Sequence, residues 1–280
     1  MTSNTSNTSN TSNSGNVSTQ FDTTGGWFFP DRANDPFVWF SGSMPGSCFR
    51  APPAPGSKTD PRLWTSYWWS WAVVTQFATL NPTLAMPGPS TQSVTNGELK
   101  QLANYAQHQR GDALAEIMAQ NNETISWFCD LLAITPVSHP ATHRVICGAS
   151  LISTFVVIRF KNYYQRPRPV QLMPMLLPPI VPGHPAYPSG HATQSQLIVE
   201  CLKMVLASKT YASTLTDAAQ NLCDRIAKNR EIAGLHYKSD SDDGKQLAKD
   251  ISPKLITDST GSKIVSAFHE AVTEARNEWP

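Results

Sequence analysis

This chain has almost no excess of positive or negative charge. Twenty-two Lys and Arg stand against 21 Asp and Glu in 280 residues, a net charge of +1. No excess charge therefore draws it to nucleic acid or to an anionic membrane surface. Apolar/polar alternation of period two is also missing, so no sheet is expected and the fold class is all-α. No clean apolar run reaches the ~20 residues of a spanning helix. The most apolar stretch, Val145 to Ile158, is broken by Cys147, Gly148, Ser150, Ser153 and Thr154. The N-terminus has neither the basic start nor the apolar core of a secretory leader. Cysteines are few and odd in number, Cys48, Cys129, Cys147, Cys201 and Cys223, with no CxxC or Cys/His spacing that suits zinc. Together these absences lead us to expect a cytoplasmic protein with buried reduced thiols, no membrane span and no nucleic-acid partner.

What is present is uneven along the chain. Residues 1–20 are SNT repeats that cannot bury apolar surface, and are expected to form a disordered tail. Residues 21–62 mix Pro, Gly, Asp and aromatics and read as an irregular arm. Residues 63–280 carry helical patterns and read as one helical-bundle catalytic domain. The aromatic stripe of Trp64, Trp68, Trp69 and Trp71 is expected to pack in the core, in a helix ended by Asn81–Pro82. A loop over 83–96 and a long amphipathic helix from Gly97, kinked at Gly111, come next, then a helix over 122–134. Pro140 suits the first position of an apolar helix reaching Tyr164, expected to be central and buried. Eight prolines between Gln165 and Pro188 exclude regular helix there. Further helices are expected from Ser189, and over about 212–230, 242–251 and 261–277.

Three short clusters carry the chemistry. KNYYQRPRP, Lys161 to Pro169, sets cations at the end of an apolar helix, which is costly unless they meet an anion or reach water. Lys161 and Arg168 would share a face if the helix continued, but Pro167 interrupts it, and a solvated basic helix end explains this cluster alone equally well. HPAYPSGH, His184 to His191, places a capping serine, Ser189, and then Gly190 at a helix start, where first-turn amides and the helix dipole suit an anion. His191 in that turn suits proton transfer, though an ordinary capped helix would look the same. NREIAGLHYKSD, Asn229 to Asp240, sets Arg230 six residues before His236 and Asp240 four after it. A carboxylate one turn from a histidine can accept its Nδ1–H and leave Nε2 as nucleophile or ligand. Gly234 would let a bulky oxyanion approach, while a surface ion pair is the plainer alternative.

In order and spacing, K-x6-RP, PSGH and R-x5-H-x3-D resemble the three-part signature of the superfamily that joins vanadium-dependent haloperoxidases, bacterial class A acid phosphatases and lipid phosphatases of the PAP2 type. The resemblance covers residues 161–240 and implies a helical bundle of the haloperoxidase/acid phosphatase kind. It implies that Lys161, Arg168 and Arg230 hold the equatorial oxygens of vanadate or phosphate, with the Ser189 hydroxyl and the Gly190 amide adding hydrogen bonds. Arg168 has the family spacing and Arg166 does not. His236 would be the phosphate-accepting nucleophile or the axial ligand of vanadium, His191 the acid/base, and Asp240 the group orienting His236. Asn229 stands where many of the phosphatases carry serine.

Phosphate and vanadate share charge and shape, so the cage alone does not separate the two activities. HPAYPSGHATQ resembles the haloperoxidases, the bromide-using ones above all, in which a histidine at the place of His184 lines the site. The expected activity is therefore oxidation of halide by hydrogen peroxide at histidine-bound orthovanadate, with bromide or iodide favoured over chloride. Ile158, where the haloperoxidases often carry Trp or Arg, and the short chain point instead to a soluble phosphatase, which would cleave phosphomonoesters through a phosphohistidine and need no cofactor. A phosphate-binding scaffold without activity is a third alternative. The resemblance also implies a homo-oligomer.

Overall fold

The computed structural model describes residues 64–121, 124–256 and 265–280. The expected tail and arm, and Cys48, lie outside them. Among the described residues there is no strand, and the protein is all-α.

Helix α1, Ser66–Leu80, ends where expected, with Asn81 left-handed at φ 41° and its N–H bonded to Ala78 O. Trp69, Val73 and Phe77, four residues apart, line one face and are buried. Only Trp69 of the aromatic stripe joins the core. Trp68 is 57% exposed, and Trp64 and Trp71 are exposed too. Trp68 and Trp71, one position before and two after Trp69, are rotated about 100° and 200° from it around the helix axis, so an aromatic run of this density cannot all point inward.

The amphipathic segment is two helices, α2 (Gln92–His108) and α3 (Arg110–Ala119). Helix α2 starts five residues before Gly97, and the break falls at Gln109 instead of Gly111. Helix α4 (Thr124–Leu131) ends three residues before the expected 134.

Helix α5, Pro140–Tyr164, has Pro140 at its first turn, and its buried residues reach every face through the middle turns. It packs against α1, α7 (Gly190–Leu206) and α10 (Ser266–Arg276), and α7 packs in turn on α8 (Ala212–Ile232) and α9 (Lys238–Ile251). Gly148 admits a close approach of its neighbours: a Cβ there would meet the Trp69 ring at 2.9 Å and Phe268 at 3.2 Å. The stretch Pro140–Leu172 is long and apolar enough to cross a membrane, against the expectation that no segment qualifies. The interrupting Ser, Thr and Gly do not lower its mean hydropathy enough to fail. Of its most apolar window 78% is buried inside the protein, as in a central core helix.

The proline-rich stretch holds one short helix, α6 (Pro169–Leu172), a 3-10 turn at Pro174–Leu176, and extended chain. It leaves the main core, which is built on α1, α5, α7, α9 and α10, and covers a smaller second cluster. That cluster gathers Leu99, Leu102 and Tyr105 of α2, Ile117 of α3, Leu176, Ile232 at the end of α8, and Leu235 and Tyr237 from the turn between α8 and α9. The candidate site lies at the seam between the two clusters. All four described cysteines are buried and free.

Candidate active site

Lys161 sits in the last turn of α5, which closes at Gln165 with a left-handed φ of 50°. The chain then reverses, so Arg168 returns toward Lys161 as the residue before α6 and not along a continued helix. Lys161 is 2% exposed and Arg168 3%, which rules out the solvated basic helix end. Lys161 Nζ donates to Pro185 O at 2.7 Å and Ala186 O at 2.9 Å. Arg168 donates to His184 O (2.9 Å), Leu235 O (2.8 Å), His184 Nδ1 (3.0 Å) and His236 Nε2 (3.1 Å).

Ser189 caps α7, with Oγ accepting from Ala192 N at 3.5 Å and its own N–H donating to Asp240 O at 3.0 Å. This hydroxyl lies behind the cavity wall, whereas Gly190 and His191 stand on it. His191 Nε2 is 3.2 Å from both Gln120 O and Asn121 O. Carbonyl oxygens only accept, so Nε2 carries the proton and Nδ1 is bare.

Helix α8 ends with Leu235 N bonded to Arg230 O (3.0 Å) and Gly234 N bonded to Glu231 O (2.8 Å), with Gly234 at φ +79°. This is a left-handed glycine cap closed by paired reverse bonds. It turns the chain so that His236, outside any helix, comes back beside Arg230. Gly234 thus serves the turn: a Cβ there would meet Arg110 Nη2 at 3.0 Å, and its expected role of admitting an oxyanion is not what the geometry requires. Asp240, in the first turn of α9, reaches back to His236 Nδ1 (3.2 Å) and accepts from Tyr237 N (3.1 Å). Arg168 can only donate, so His236 Nε2 is bare and Nδ1–H points to Asp240.

These elements enclose a cavity of about 210 Å³. Lys161, Arg168, His184, Gly190, His191, Arg230 and His236 are on its wall, together with Thr154, Val157, Ile158, Ile180, Pro182 and Leu235. Asp240 stands behind His236. Arg230 is fully buried. Its Nη2 donates to Ile117 O at 2.6 Å, while Nε and Nη1 have no partner among the described residues. Among the described residues no carboxylate lies within ion-pair distance of Lys161, Arg168 or Arg230.

Burial pushes Lys161 well below the usual lysine range, Arg168 adds to this, and Asp240 opposes it. Burial lowers Arg168 and Arg230 to about 10 each. It also lowers His184 to about 4 and His191 to about 3, helped by the neighbouring cations. His236 is pushed down by burial and then by Arg168 and Lys161. All three histidines are therefore neutral near pH 7, with His191 Nδ1 bare and only weakly basic until an anion sits beside it. Asp240 rises to about 6 through burial, which outweighs Arg166 and the Tyr237 amide.

Several members have no counterpart in the sequence motifs. The carbonyl end of α3, at Ile117, Gln120 and Asn121, holds Arg230 and His191. Asn229 is buried and donates to Gln120 Oε1 at 2.9 Å, joining α8 to that end. Arg166 turns away from the cavity, toward Asp240 and Glu98. No protein-family model matches this chain, and no curated protein matches it.

Proposed function

We propose that this cavity binds a tetrahedral oxyanion and that the chain is a vanadate-dependent haloperoxidase using hydrogen peroxide and a halide, bromide or iodide before chloride. The observation that carries the oxyanion reading is Arg230: a buried guanidinium whose Nε and Nη1 have no partner among the described residues, facing Lys161 and Arg168 across a cavity that no described carboxylate lines. Burying unpaired charge and donors is costly unless an acceptor of opposite charge satisfies them.

The residues fit vanadate. Lys161, Arg168 and Arg230 would hold its oxygens, the Gly190 amide at the start of α7 would add a donor, and His236 Nε2 would be the one protein ligand to the metal. Bound vanadate would supply the Lewis acidity that activates hydrogen peroxide toward halide. Ligation at His236 Nε2 requires Arg168 to exchange its 3.1 Å bond there for one to an oxyanion oxygen, while its bonds to Leu235 O and His184 O can persist. His191 Nδ1 is placed to take the proton that peroxide gives up, and an anion beside it raises its affinity for that proton. His184, neutral, with Nδ1 accepting from Arg168, would carry its proton on Nε2 as a donor on the cavity wall.

A phosphatase is the second reading, favoured by the His236–Asp240 pair, which leaves Nε2 as a nucleophile as a phosphohistidine intermediate demands. A paired assay of the purified full chain separates them. One arm supplies orthovanadate, peroxide and each halide with a halogenation indicator, the other a chromogenic phosphoester without vanadate. Vanadate-dependent halogenation blocked by phosphate supports the first reading. Phosphoester turnover inhibited by vanadate and lost in His236→Ala, with no halogenation, refutes it in favour of the second.

A further inference from the structure

Arg166 has the wrong spacing for the oxyanion cage and yet is 5% exposed. Its guanidinium is used on both edges. Nη1 donates to Asp240 Oδ1 at 2.5 Å and Ser239 Oγ at 2.9 Å, and Nη2 donates to Glu98 Oε2 at 3.1 Å and Thr95 Oγ1 at 3.2 Å. Its plane lies 3.8 Å over the Tyr237 ring. Glu98 in turn accepts from Ser239 N at 2.6 Å and Ser239 Oγ at 3.1 Å, which ties α2 to the first turn of α9. Asp240 therefore has its two oxygens divided: Oδ1 faces Arg166, and Oδ2 faces His236 Nδ1 and the Tyr237 amide.

We propose that Arg166, anchored by Glu98, is a positioning residue that fixes the rotation of the Asp240 carboxylate, so that His236 keeps its proton on Nδ1 and offers a bare Nε2 to the cavity. Arg166 does not line the cavity and acts only through Asp240. A planar fork bonded to two carboxylates sets an angle that a point charge on a flexible stem cannot, so lysine is not equivalent here. Without the Glu98–Arg166 brace, Oδ1 of the buried Asp240 loses the partner that holds it, the carboxylate is free to rotate away from His236 Nδ1, and His236 is free to sample the tautomer with its proton on Nε2. The inference rests on the oxyanion reading for its consequence, but the tautomer itself does not.

The test uses the full chain with 15N-labelled histidine and two conservative variants, Arg166→Lys and Glu98→Gln, each checked for its helical circular dichroism. Long-range 1H–15N spectra at one neutral pH report the His236 tautomer, and titration with orthovanadate alone reports affinity. In the wild type His236 gives one protonated Nδ1 and one bare Nε2. In Arg166→Lys the two nitrogen signals move toward each other, and orthovanadate affinity falls about tenfold or more, the usual loss when a group orienting a ligand is removed. Glu98→Gln shifts both readouts in the same direction by less, and decides the matter if Arg166→Lys does not fold. A folded variant with unchanged His236 signals overturns the proposal and leaves Arg166 a structural ion pair. Should the wild type fail to bind orthovanadate, the functional reading falls, while the tautomer comparison still decides the role of Arg166.

Discussion

Gly244 is where α9 meets the start of α7 at backbone distance, and replacing it tests how rigidly the two sides of the site are set. A Cβ at this position would lie 2.8 Å from Ser189 O, 2.9 Å from Thr193 Oγ1 and 3.5 Å from Ala192 Cβ. Ser189 O cannot yield easily, because it already accepts from Thr193 N (3.1 Å) and Thr193 Oγ1 (2.8 Å). Beyond that first turn, α7 is locked in the core by Leu197, Ile198 and Leu202. Gly244→Ala must therefore separate the two helices by roughly 0.5 Å, overpacking that costs about 1–3 kcal/mol, offset by about 0.5–1 kcal/mol of alanine helix propensity. The net loss of up to about 2.5 kcal/mol corresponds to a Tm lower by up to about 10 °C for a domain of this size. The same displacement stretches the bond from Ser189 N to Asp240 O, 3.0 Å in the wild type, and moves Gly190 and His191 away from His236. Orthovanadate affinity should fall by roughly tenfold, given that 1 Å of misplacement costs about a hundredfold. Gly97→Ala is the matched control, since nothing lies within 4 Å of a Cβ there and α2 should gain stability. Thermal unfolding followed by circular dichroism compares the two. If Gly244→Ala melts as high as Gly97→Ala, the close packing between α9 and the α7 cap is not real.

Arg230→Met should raise or hold the melting temperature in anion-free buffer while weakening orthovanadate binding by about a hundredfold, because removing an unpaired buried charge is often stabilising by about 1–4 kcal/mol; a lower Tm in that buffer counts against the two unpartnered donors. Trp69→Ala should cost about 3–5 kcal/mol and Trp68→Ala no more than about 0.5 kcal/mol in urea unfolding, and equal losses would contradict the burial of one face of α1. Sulfate, a tetrahedral dianion whose charge does not change over the range, should bind more tightly as pH falls from 8 to 5. The anion raises the pKa of His191, which is about 3 without it, so the complex holds more protons than the free protein. Calorimetry in buffers of different ionisation enthalpy should register proton uptake, and proton release would reverse the assignment.

The helix ends were legible because they depend on local features. Pro140, the Asn81–Pro82 stop and the Ser189 cap each mark a helix end through their own backbone preferences, and the structure puts α5, α1 and α7 there. Lys161, Arg168, Gly190, His191, Arg230 and His236 share one cavity wall; only the family resemblance joined them in the sequence, since each cluster alone read equally well without a shared site. What holds them was not legible. Ile117, Gln120 and Asn121 act through backbone carbonyls, which no residue type announces. Glu98 meets Arg166 across 68 residues, and a glutamate on an amphipathic helix reads as solvated until its partner is known. The tryptophans failed for a different reason. Helical periodicity selects one face, and a run in which most positions are aromatic carries no contrast from which to choose it.

Helix α3 is only ten residues long, yet both of its ends are engaged. At its start Arg110 donates to Ile232 O (2.9 Å), Leu176 O (2.5 Å) and Leu177 O (3.2 Å), gathering the proline-rich segment and the end of α8. At its far end the carbonyls of Ile117, Gln120 and Asn121 grip Arg230 and His191. The helix is a strut of fixed length, about 15 Å at 1.5 Å per residue. Its outward side chains are free to vary, but its residue count is not. One inserted residue would advance one end by 1.5 Å and rotate it by roughly 100° against the other, so that Arg110 and the carbonyl grip could no longer both be engaged. Evolution or design can repaint this helix, but cannot lengthen it.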